Sequence, residues 1–218
     1  MDRILDVFQR RDFIANFIIH IELSVLATLF GLVIAMLVAI LVNRSDTAST
    51  IAINIGNIGR AVPSLCILVL MLPIAGLGFD NALFALTLLA ISPILINAVV
   101  GLRQVNAQII DAARGMGLSG RQILSGIQLP IAAPIIFAGI RTSAVQVVAS
   151  ATLATFIGGG GLGDYIVEGF QRGDIYISLA GALAVAFLAI ITEVGFGTLQ
   201  RTFTPKGLRL AQARARAK

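Results

Sequence analysis

The sequence is poor in the residues that most protein chemistry needs. Its 218 residues include one cysteine, one histidine, no tryptophan and two tyrosines. A lone cysteine, Cys66, builds neither a disulfide framework nor a cysteine-based metal site. The lone histidine, His20, lies in an apolar run, where a residue near a membrane interface is expected rather than a metal ligand or a catalytic base. Charge is scarce as well. Only 12% of the side chains are charged, too few to cover a soluble domain of this size. The net charge of +5 is no nucleic-acid signal, because the basic residues lie between apolar runs without aromatic interleaving. No nucleic-acid partner is expected. The phosphate-cradling pattern G-x-x-x-x-G-K-[ST] is absent, so no nucleotide site is expected on this chain. Residues 1–16 are mixed in charge and no small-residue cleavage site follows them, so no cleavable leader is expected.

What the sequence does have is long apolar runs. It is 57% hydrophobic with a mean hydropathy of +0.95. A helix needs about 20 apolar residues to cross a hydrocarbon layer of ~30 Å. Five segments meet that length: residues 17–42, 53–74, 82–102, 131–157 and 177–199. The expected fold class is an all-α integral membrane protein with about five transmembrane helices in one domain, residues 1–218. Pro63, Pro73, Pro93 and Pro134 fall inside apolar segments, where each removes a helical hydrogen bond and bends the chain.

The stretch 104–130 is too polar to span yet keeps helical spacing through Ile109, Ile110, Ala113 and Met116. Ser119 with Gln122 three residues on reads as a capping box opening a second short helix. Two short surface helices are expected, joined by a turn at residues 117–119. Basic residues orient the chain. Arg103 just before this stretch and Arg114 and Arg121 within it face one acid, Asp111, and the tail carries Arg201, Lys206, Arg209, Arg214, Arg216 and Lys218 with no acid. The loop after the fourth span carries Asp164, Glu168 and Asp174 against Arg172. An external N-terminus and a cytoplasmic C-terminus satisfy both patterns and require an odd number of spans.

Asp111-Ala112-Ala113-Arg114-Gly115-Met116-Gly117 is followed, after nine residues, by Ile127-Gln128-Leu129-Pro130. This resembles the coupling motif of binding-protein-dependent ABC importer permeases: Glu-Ala-Ala, three residues, Gly, nine residues, Ile-x-Leu-Pro. Every spacing matches, and Asp111 stands where the family usually has Glu. The resemblance implies that Asp111, Ala112, Ala113, Gly117, Ile127, Leu129 and Pro130 form a cytoplasmic helix pair that docks on a separate ATPase subunit. Ala112 and Ala113 would permit close approach, Gly117 a turn with positive φ, and Pro130 the start of the fourth span. Asp111 would cap a helix or pair with a basic residue.

The stretches 59–65, 90–97, 138–142 and 151–164 narrow the resemblance to permeases for glycine betaine, carnitine and choline. It covers about residues 20–199. It implies the small five-helix form of the type I permease, shared with methionine-importer permeases, in the plasma or inner membrane of a prokaryote. It also implies these partners: ATP-binding subunits, which hold the ATP and magnesium; a second permease, identical or homologous; and an extracytoplasmic solute-binding protein. Arg60, Pro63, Ser64, Asn97, Arg141, Thr142, Thr152 and Glu193 are the candidates for the pathway or for a helix interface, with pairing at an interface favoured for the charged ones. A quaternary ammonium ion is held by aromatic cages, and Tyr165 and Tyr176 both lie in the outer loop, so tight binding is expected of the external protein. Gly158, Gly160 and Gly163 spell G-x-G-x-x-G without the strand a dinucleotide site needs, and a tight turn is expected. The competing readings are a permease for another small solute such as an amino acid, a channel or secondary transporter, and a membrane enzyme. The coupling motif argues against the second. The shortage of acids, bases and metal ligands argues against the third.

Overall fold

The computed structural model describes residues 2–203. The expected basic tail, Lys206 to Lys218, lies outside them. Among the described residues every regular element is a helix. A short α1 (Asp2–Phe8) precedes α2 (Arg11–Val42), the first span. Next come α3 (Asp46–Ala61), α4 (Ser64–Leu70) and α5 (Leu72–Ala75). The third expected span is α6 (Phe79–Arg103). The polar stretch supplies α7 (Ala107–Gly115) and α8 (Gly120–Ile123), and α8 runs through a π-turn at Leu124–Gln128 into α9 (Leu129–Ser150). A 3₁₀ segment, Ala151–Ile157, ends that span; α10 (Gly163–Arg172) and α11 (Ile175–Phe203) complete the chain.

Four runs are long and apolar enough to cross a membrane, and the pair α3 with α4–α5 makes a fifth if its bend counts as one span. The bend expected at the prolines is sharpest in the second span, over residues 53–74, where the helix breaks. The two halves meet at 94°. Pro63 is the cause: it forces Val62 into extended backbone, at φ −74° and ψ 125°, and supplies no N–H to continue the helix. Pro93 and Pro134 instead stay inside continuous helices. The second expected surface helix is also corrected. It is not a separate piece but the first turn of a helical run over Gly120–Ile157, with Pro130 already inside it.

The spans pack around α6, which α2, α3 and α9 flank. In lipid the hydrophobic effect does not hold helices together; close approach and hydrogen bonds do. A Cβ at Gly31 of α2 would stand 2.5 Å from the Ala90 side chain of α6, and one at Gly139 of α9 would stand 2.6 Å from Asn97 Cβ. Both crossings therefore need glycine. The Ser143 hydroxyl donates to the Ala90 carbonyl at 3.0 Å across the α6–α9 contact, a bond worth about 0.6–2 kcal/mol. Leu23, Leu86, Val147 and Ile157 fill one end of the core, and Ala39, Val99, Leu102 and Ile136 the other.

Candidate functional site

The coupling motif forms a hairpin at one end of the bundle. Asn106 opens α7 by accepting the Gln108 N–H at 2.9 Å. The helix closes at Gly117, φ +83°, where Leu118 N–H bonds the Ala113 carbonyl at 3.1 Å and Gly117 N–H bonds the Arg114 carbonyl at 2.9 Å. This double closure is the Schellman motif, which requires the left-handed backbone that glycine adopts without strain. Ser119 and Gln122 then form the expected capping box, with Ser119 N–H on Gln122 Oε1 at 2.8 Å and Gln122 N–H on Ser119 Oγ at 3.4 Å. The turn is thus sealed on both sides by the chain's own hydrogen bonds.

The two alanines separate. Ala112 is exposed beside Asp111, whereas Ala113 is only 1% exposed. Ala113 is packed against its own chain, and Ala112 is the one of the two presented at the surface. Asp111 does pair with a base, Arg114, at 3.4 Å on the open surface. It does not cap α7, since Asn106 does. Ile127 and Leu129 are half-buried in the helical run and Pro130 is exposed. The hairpin is tied to the bundle at its base. Asn43 at the end of α2 donates to Gln128 at 3.4 Å, and Arg103 bonds Asp46 at 2.7 Å, joining α6 to α3.

The other candidates are dispersed. Arg60, Pro63 and Ser64 lie together at the α3–α4 break; Arg60 is exposed and has no ion pair among the described residues. Asn97 donates to the Pro93 carbonyl at 2.8 Å and packs under Gly139. Arg141 and Glu193 are brought together as an ion pair joining α9 to α11. Thr142 and Thr152 bond carbonyls of their own turn, Ala138 and Ala149. Among the described residues no three His, Cys, Asp or Glu side chains stand close enough to hold a metal.

Three residues escaped the sequence reading. His20, read only as a residue near the membrane interface, is wholly buried inside the bundle. Its Nε2 stands 3.0 Å from the Val148 carbonyl, and its Nδ1 accepts the Leu162 N–H at 3.3 Å, so one imidazole bolts α2 to α9 and to the glycine loop. The signal was present: Asn16, His20, Ser24 and Thr28 recur every fourth residue on one face of an apolar helix. Asn54 and Asn57, exposed on α3 two turns and one turn before Arg60, were also missed. At the end away from the hairpin, Arg10 bonds Glu168 at 2.9 Å, and this pairing holds its guanidinium above the ordinary range. Tyr165 is buried there against Phe13, and burial pushes its hydroxyl up to about 12.

Spanning helices around a buried α6, with an exposed hairpin between the third and fourth spans, define a membrane permease of the type I ABC importer fold. Residues across 88% of the chain superpose on 96% of a chain of the MetNI methionine ABC transporter, solved in inward-facing conformations, with a TM-score of 0.76 at 23% identity. A chain of an amino acid ABC transporter solved with histidines matches with a TM-score of 0.68 at 19% identity, over 88% of this chain and 92% of that one. The protein belongs to the family of binding-protein-dependent transport system inner membrane components, which matches residues 27–205. It is a transport subunit rather than an enzyme, and ATP hydrolysis belongs to a separate ATPase. Its relatives include the carnitine transport permease protein OpuCB of Listeria monocytogenes, 37% identical over 97% of this chain and 98% of that protein. The glycine betaine/carnitine/choline transport system permease protein OpuCB of Bacillus subtilis is 37% identical over 87% and 88%. The osmoprotectant import permease protein OsmW of Salmonella typhimurium is 32% identical over 87% and 91%.

Proposed function

We propose that the chain, as one transmembrane domain over residues 1–218, passes quaternary-ammonium osmoprotectants such as glycine betaine, carnitine or choline. Two permeases form the pathway, two ATP-binding subunits holding ATP and magnesium drive it, and an extracytoplasmic protein delivers the solute. The observation that carries the ATP-driven part is the hairpin. A helix held outside the bundle by its own caps, with Asp111 and Ala112 exposed at its surface, is a rigid knob that transmits a push from a partner. Gly117, Ile127, Leu129 and Pro130 hold the knob to the fourth span.

Charge supports an inward-facing hairpin end. Arg44, Arg103, Arg114 and Arg121 outnumber Asp46 and Asp111 there, while the far end sets Arg3, Arg10, Arg11 and Arg172 against Asp2, Asp6, Asp12, Asp80, Asp164, Glu168 and Asp174. The N-terminus is then external, the C-terminus cytoplasmic and the membrane the inner one. The broken second span supports the pathway. α3 has 16 residues and is about 24 Å long, shorter than a hydrocarbon core of ~30 Å, so a helix starting at the surface ends inside the membrane. Broken helices at that depth mark solute routes in transporters. Asn54, Asn57, Arg60 and Ser64 give this one a polar surface that lipid would not favour. Arg60 also complements the negative end of α3.

The test is uptake in vesicles holding this permease with its ATPase and binding protein. ATP-dependent accumulation of glycine betaine, carnitine or choline, exceeding that of methionine, is expected. Accumulation of methionine alone would overturn the solute class, and ATP-independent flux would overturn the coupling.

A further inference from the structure

We infer that the cavity between the end of α2, α7 and the start of the α8 run holds the phosphate headgroup of an anionic phospholipid. The cavity has a volume of about 680 Å³. Arg44 and Arg114 line it, with Ile110, Gly120 and Gln128, and no acidic side chain does. Arg44 has no ion pair among the described residues, and the one partner of Arg114 is Asp111, at 3.4 Å and exposed. An exposed pair of that length holds its arginine weakly. Arg44 Nη2 stands 4.0 Å from where a Cβ on Gly120 would lie, so its guanidinium sits beside the first residue of the α8–α9 run. Two guanidinium groups there offer forked donors to phosphate oxygens.

The other wall selects the ligand. Leu41, one turn before Arg44, also lines the cavity and is 77% exposed at the end of a spanning helix. A ligand filling this space must put an anion against two arginines and hydrocarbon against Leu41 and Ile40. A phospholipid does both, whereas free phosphate satisfies the arginines alone. Basic pockets between spanning helices are recognised headgroup sites on physical grounds, since each arginine near a membrane surface attracts anionic lipid. Here one wall is α7, so the lipid would brace the hairpin against α2. The inference does not depend on which solute is carried.

The experiment is native mass spectrometry of the full-length chain extracted in mild detergent and supplied with phosphatidylglycerol or phosphatidylcholine. The chain should retain phosphatidylglycerol over phosphatidylcholine. Arg44→Gln and Arg114→Gln should each lower that retention by about fivefold. Gly120→Glu, which sets a carboxylate beside Arg44, should lower it too, while the far-end Arg172→Gln should not. Gel filtration checks that every variant remains folded, and Gly120→Glu decides the matter if an arginine variant aggregates. Unchanged retention in the Arg44 and Arg114 variants would overturn the proposal, as would equal loss in Arg172→Gln. So would displacement by millimolar inorganic phosphate, which would mark a free-anion site, or loss of the lipid when the ATPase binds, which would mark an ATPase-facing surface.

Discussion

Gly117, at the hairpin end, and Gly163, at the far end, are glycine for opposite reasons. At the hairpin end, Gly117 has φ +83° and nothing within 4 Å of where a Cβ would stand. It is glycine for backbone conformation, in open space. At the far end, Gly163 has no left-handed backbone, but a Cβ there would collide with the backbone of Thr152, and one at Gly169 would collide with Ser178. These are glycine for lack of room. Side chains follow the same division. The hairpin exposes Asp111, Ala112, Arg114 and Met116, while the far end buries His20, Leu162 and Tyr165. One end is closed by the chain's own packing, and the other leaves its polar side chains exposed.

The largest test of that contrast is Gly163→Ala. The new methyl meets a carbonyl that cannot rotate away, so a loss of more than about 3 kcal/mol is expected. The readout is loss of a monodisperse peak after extraction. Gly117→Ala should keep that peak and lose only the 1–2 kcal/mol or so of left-handed strain. Equal behaviour of the two would erase the distinction between the ends.

His20→Ala comes next. It leaves the Val148 carbonyl and the Leu162 N–H unpaired in the interior, at roughly 1–3 kcal/mol each. Thermal unfolding should fall accordingly, and hydrogen exchange should rise first in the loop 158–162. An unchanged exchange rate there would show that the histidine does not hold the loop.

A smaller effect separates the neighbouring alanines. Ala113→Leu overpacks the chain's own interior and should cost about 1–3 kcal/mol of stability. Ala112→Leu, exposed, should leave stability unchanged but reduce ATPase co-purification and uptake. Loss of stability at Ala112, or none at Ala113, would reverse the reading of the hairpin faces.

The smallest effect is a pH dependence confined to the closed end. The Tyr165 hydroxyl is raised to about 12 by burial, above its ordinary value near 10. The folded state thus keeps this proton longer than the unfolded state does. Its contribution is present in full below pH 10 and is lost as pH rises from 10 towards 12. Tyr165→Phe should flatten the difference in melting temperature across that window and change nothing between pH 7 and 9. The same slope in both proteins would assign the titration elsewhere.

Much of the hairpin was legible before any coordinates. Gly117, Ser119 and Gln122 act through bonds to neighbours two to five residues away, and such contacts follow from spacing. The face of Ala113 was not legible. Which side of a short helix meets the bundle depends on how α7 lies across the ends of other helices. The break at Pro63 was half legible. Four prolines sat in apolar segments with equal standing, and only packing made one a right-angle bend while Pro93 and Pro134 stayed inside continuous helices.

By itself the sequence determined what a bilayer demands of any chain: enough apolar length per span, the order of spans, and a polar interlude with its own caps. Those are local properties, set by side-chain polarity and backbone hydrogen bonding within a few residues. Tertiary structure alone decided the pairings between distant segments. His20 finds Val148 and Leu162, Arg141 finds Glu193, and Arg44 lies over Gly120, each across more than 50 residues of chain. In an apolar helix one face resembles another, so hydropathy does not say which partner a polar side chain will meet. That is fixed by where small residues such as Gly31 and Gly139 let the helices come close enough to reach.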